Sequence, residues 1–106
     1  MIRHTVLFKI KVDTPNQAIA NAVSDFLALK DKIPGLVSIY GGKCFFHERK
    51  SLDAFANIFT HGFSMDFKDQ AAYDLFLNDP ITHSAKNSII SIAEGGYDGI
   101  VGFDLF

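Results

Sequence analysis

The chain has 106 residues, of which 48% are hydrophobic and 13% aromatic, and its formal net charge is −2. That length builds one domain around one core. The hydrophobic content excludes intrinsic disorder, and a pI near 6.0 excludes the basic footprint of a nucleic-acid binder. Eleven phenylalanines and no tryptophan stand out. So much aromatic surface on a short chain points to a partner or a ligand beyond the core itself. Cys44 is the lone cysteine, so no intrachain disulfide forms; it reads as a small apolar strand residue in a reducing compartment. There is no signal-peptide layout, and no apolar run approaches the roughly 18 residues of a membrane span. The expectation is a soluble, cytoplasmic protein.

Residues 2–12 alternate, with Ile2, His4, Val6, Phe8, Ile10 and Val12 on one face, and predict a strand. Thr14-Pro15 reads as a cap followed by proline at the first helical position. Ile19, Ala22, Val23, Phe26, Leu29 and Ile33 then recur at helical spacing through 15–32, and Pro34-Gly35 ends the helix. Residues 36–46 predict a second strand, with Gly41-Gly42 marking a bulge or bend. His47 falls in the polar connection that follows. Residues 54–67 alternate again, with Phe59, His61, Phe63, Met65 and Phe67 on one face. Asp69 caps a short helix at 70–77, and Asp79-Pro80 opens another at about 80–93. Gly95-Gly96 stops it, and residues 97–106 make a last strand.

The order β-α-β-β-α-β predicts an α+β fold. It is the ferredoxin-like plait, a four-stranded antiparallel sheet with helices on one face and the first and third strands central. The opposite face, with Thr5, Leu7, Ile58, Thr60 and Ser64, has no cover within the chain. A second copy of the sheet would bury it, which predicts an isologous homodimer.

The opening Met1-Ile2-Arg3-His4-Thr5-Val6-Leu7-Phe8-Lys9, then Ile33-Pro34-Gly35, Thr60-His61, and Asp79-Pro80 followed by a histidine resemble the stress-responsive dimeric A/B barrel (Dabb) family. The resemblance covers essentially the whole chain. It implies a dimeric α+β barrel, a link to stress response, and functions that are mostly unknown. One plant member is a polyketide cyclase with a histidine–tyrosine pair and two further histidines in a pocket between sheet and helices. By that resemblance His4 and His61 match the two pocket histidines. His83 stands one residue beyond the catalytic histidine's position, a turn of about 100° on a helix. The tyrosine's position is Phe76, and Tyr73 lies almost one turn away.

The residues then allow three readings. His4 and His61, with Phe8, Phe59, Phe63, Tyr73 and Phe76, are candidate lining for a pocket that holds a small apolar or aromatic ligand. In that case the protein is a ligand-binding or stability-related dimer without catalysis. If it is an enzyme, His83 is the candidate general base of a cyclase-like proton transfer that needs no metal and no cofactor. Cofactor-independent oxygenation is a third reading, by fold analogy. A shared metal on His4 and His61 is disfavoured, because pairing the strand centres offsets them by roughly 10 Å. Tyr40 and Tyr97, on the outer strands, are candidates for the dimer interface.

Overall fold

A computed structural model describes residues 1–44 and 59–106. The expected strand at 54–58, Ile58 and His47 fall outside the described residues. The elements are β1 (Ile2–Phe8), α1 (Asn16–Leu27) running into a 3-10 turn (Ala28–Asp31), β2 (Leu36–Lys43) and β3 (His61–Phe67). They continue with α2 (Gln70–Asn78), α3 (Pro80–Ile92), a 3-10 turn (Gly96–Gly99) and β4 (Val101–Leu105). The sheet order is β2-β3-β1-β4, antiparallel throughout, with β1 and β3 central as the alternation predicts.

The helices cover one sheet face. Ile2 and Phe8 of β1 and Phe63, Met65 and Phe67 of β3 meet Phe26, Leu29, Tyr73, Phe76 and Ile89 from the helical side. Phe8, Phe26, Phe63, Phe67 and Phe76 are all at most 3% exposed. The rings interlock, with centroids 4.4 Å apart for Phe26–Phe63 and 5.0 Å for both Phe67–Tyr73 and Phe67–Phe76. Truncating any one of these phenylalanines to alanine costs about 3–5 kcal/mol.

Local chemistry sets the helix boundaries. The Asp69 carboxylate accepts from Ala72 N at 2.9 Å and starts α2. Asp79 ends α2 and also caps α3, accepting from Ile81 N at 2.9 Å, with Pro80 in the first turn where its missing N–H costs nothing. Two glycines permit close approach. Gly35 adopts φ +83° under Ala72, and a side chain at Gly41 would run into the Phe63 ring.

Several expectations shift. β1 stops at Phe8, because the chain then pairs with the end of α3. Glu94 N donates to Lys9 O, Lys11 N donates to Ile92 O, and Val12 is exposed. Thr14 does not cap α1, because its hydroxyl donates to Lys11 O at 2.7 Å. The bulge in β2 falls at Val37, between Leu36 and Ser38, and not at Gly41-Gly42, which pair regularly with Phe63 and Gly62. Thr60 precedes β3, and its hydroxyl accepts from Ile10 N. Tyr97 lies in the 3-10 turn before β4, off the sheet.

Candidate ligand pocket

Strand register brings together two residues that the chain keeps far apart. β1 and β4 pair with His4 directly opposite Asp104, and β1 and β3 pair with His4 opposite Met65. All three face the helices. His4 Nδ1 lies 2.5 Å from Asp104 Oδ1. A carboxylate only accepts, so Nδ1 carries the proton and Nε2 is the nitrogen left for a ligand. From α2, the Tyr73 hydroxyl donates to Asp104 Oδ1 and Oδ2 at 3.0 and 2.9 Å, and it stands 3.2 Å from His4 Nδ1. Burial first, and then the Asp104 carboxylate, push the Tyr73 phenol up to about 12. It therefore stays protonated and acts as a donor.

The imidazole opens onto a cavity of about 200 Å³ between the sheet and α3. The sheet contributes His4, Val6, Phe63 and Gly102, and α1 and α2 add Phe26 and Phe76. Lys86, Ile89 and Ile90 of α3 form the far wall, with Tyr97 and Ile100 at the mouth. Gly102 pairs with Val6, and its missing side chain helps leave the space open. An apolar cavity of about 150 Å³ accepts a benzene ring, so this one has the volume for a ring with a substituent.

Of the expected lining, His4, Phe63 and Phe76 are at the cavity, and Tyr73 reaches it through Asp104. Phe8 is core, and Phe59 is half-buried away from the cavity. His61 is not beside His4. It pairs with Phe8, four residues along β1, and stacks on that ring at 6.1 Å. Its Nδ1 lies 2.9 Å from the Thr60 hydroxyl. It lines a separate open groove with Val23, Leu27 and Lys43. Burial first, and then Lys43, hold its imidazole below the ordinary histidine range. His83 is exposed outside the cavity, and its Nε2 hydrogen-bonds Leu77 O at 2.9 Å. The extra residue before it turns Thr82 inward instead. Thr82 is fully buried, and its hydroxyl has no partner among the described residues. No group of three metal-ligating side chains converges among the described residues. Burial raises the Cys44 thiol, which makes it a poor nucleophile.

Asp104, Lys86 and Tyr97 were not foreseen at the site. The signal for Asp104 lies in β4, where Val101, Phe103 and Leu105 share one parity and Gly102 and Asp104 the other. The small and polar parity faces the helices, and the apolar one faces out.

The comparisons extend this picture. A solved structure from Jannaschia sp. CCS1, described as a dimeric ferredoxin-like protein of unknown function, superposes with a TM-score of 0.82 at 26% identity, covering 99% of this chain and 97% of that one. A hydroxynitrile lyase from Passiflora edulis gives a TM-score of 0.79 at 19% identity, with 98% and 90% covered. A Dabb-family protein with a ferredoxin-like fold from Mesorhizobium loti gives 0.72 at 22%, with 99% and 94% covered. No curated protein matches the sequence. No described helix is long and apolar enough to cross a membrane. Residues 2–105 match the model of the stress responsive A/B barrel domain, and the chain belongs to that Dabb family.

Proposed function

We propose that this Dabb protein binds a small, mostly apolar molecule between its sheet and α3, and that it works as a homodimer joined through the uncovered sheet faces. One observation carries the binding reading. The only imidazole among the described residues on the cavity is fixed by Asp104 at Nδ1, with Nε2 left for a ligand. Apolar walls with one oriented polar group are the usual form of a small-molecule site. Support for the dimer comes from Val101, Phe103 and Leu105, which are 46–56% exposed on the outward side of β4, and from the dimeric Jannaschia relative. The lone, half-buried Cys44 suits a reducing compartment, and we place the protein in the cytoplasm.

The test is a thermal-shift screen of single-ring compounds, followed by NMR titration of the hits. We expect shifts at His4, Gly102 and Tyr97, weaker binding by His4→Ala, and loss of binding by Gly102→Val, which fills the cavity. Hits that leave these resonances unmoved would defeat the assignment.

The His4–Asp104 pair favours a second reading, proton transfer without a cofactor. Nε2 would take a proton from a carbon beside a carbonyl, and Asp104 would stabilise the imidazolium formed. A lyase of this fold in Passiflora edulis lends support. Solvent deuterium entering a bound ketone in wild type, and not in His4→Gln, is the expected result.

A further inference from the structure

We infer that Lys86 is the anion-recognition residue of the cavity, so that the ligand class is a small apolar acid, a ring or short chain ending in a carboxylate or comparable anion. The inference rests on the pocket reading above and names its ligand.

Among the described residues Lys86 is the one formally charged side chain on the cavity wall, and no described Asp or Glu lines it. It sits on α3 with Ile89 and Ile90 three and four residues later, so the three share the face turned to the sheet. It is half-buried and forms no ion pair among the described residues. Its ammonium lies 5.9 Å from the centroid of Phe76, and the His4 ring centre lies 6.3 Å from that same ring. The attraction of an ammonium for an aromatic face favours its place at the wall.

The other polar groups fit the same ligand. Asp104, the nearest carboxylate in the network, is engaged by His4 and Tyr73 and does not line the cavity. An entering anion therefore meets an ammonium, an imidazole and, at the mouth, the Tyr97 phenol. In surroundings this apolar an ammonium–carboxylate pair is stronger than in water.

The experiment compares phenylacetate with its neutral isostere phenylacetamide, by calorimetry and NMR, on the full chain. Wild type should bind the acid about tenfold tighter than the amide. Lys86→Met, which keeps the stem on Phe76, should remove that preference while amide binding persists, and Lys86→Arg should retain it. A Lys86→Met protein that still prefers the acid overturns the role of Lys86 and leaves the pocket reading standing. Equal binding of acid and amide by wild type overturns it as well. If neither compound moves the resonances of His4 or Tyr97, the pocket reading fails and this inference falls with it.

Discussion

Asp104 Oδ1 stands 2.5 Å from His4 Nδ1 across the β1–β4 register, joining the two ends of the chain behind the cavity's histidine. Tyr73 closes the group from α2. The three side chains form one network, so removing its centre should be felt at both partners.

Asp104→Asn should lower the Tyr73 phenol from about 12 toward 10, because the carboxylate that disfavours ionisation is gone while burial remains. Ultraviolet titration of the tyrosines reads this, and a Tyr73 unchanged near 12 would contradict the network. Asp104→Ala should also cost about 1–3 kcal/mol in stability, since it removes the carboxylate that Tyr73 and His4 both engage.

Thr82→Val should stabilise the protein by about 1 kcal/mol. Its hydroxyl is buried without a partner among the described residues, and valine has nearly the same shape without the polar atom. Chemical denaturation measures the change. A loss of stability would mean that the hydroxyl is bonded in solution.

His61 gives the folded chain a pH dependence. Its imidazole is held below the ordinary value of 6.5, so the unfolded chain takes up the proton first as pH falls. Stability is therefore full above about pH 6.5 and declines toward the lowered folded value. His61→Gln should flatten that part of a melting-temperature profile. An unchanged slope would assign the effect elsewhere.

A carboxylate on the outward face acts in a lower window. Arg3 chiefly, with Ser38, holds the Asp66 carboxyl below its usual 3.8, through hydrogen bonds of 2.7–2.9 Å. That stabilisation is present above the usual carboxylate range and is lost as pH falls through the lowered folded value. Asp66→Asn should reduce stability at neutral pH and shrink the drop below pH 4, as seen in acid melts. An acid limb as steep as wild type would count against it.

Phe103→Glu should turn a particle of twice 11.7 kDa into one of 11.7 kDa by light scattering, and the melting temperature should no longer rise with protein concentration. Wild type running as the smaller species would dispose of the dimer at once.

Much of the fold is legible along the chain. Period-two alternation at His4-Val6-Phe8 and at Phe63-Met65-Phe67 marks the central strands, and the pairs at Asp69 and Asp79-Pro80 mark the helix starts, because caps and alternation are local properties. The site is legible in part. His4, Phe63 and Phe76 lie on faces that strand parity and helix spacing mark, and Tyr73 enters through the family resemblance. Register is not local, so the four-residue offset of His61 from His4 and the pairing of His4 with Asp104 are settled only when strands meet. β4 hides its role further, because its greasy parity points away from the core.

That strand carries the carboxylate that holds His4 and the outward apolar row on alternate residues within Val101–Leu105. A single inserted or deleted residue near Ile100 would exchange them, setting Phe103 or Leu105 against His4 and turning Asp104 toward the other face. The proposed ligand site and the proposed dimer face would fail together from one lesion. Chain length between Gly95 and Leu105 thus sets both faces of β4 at once, and a substitution there changes one face where an insertion or deletion changes both.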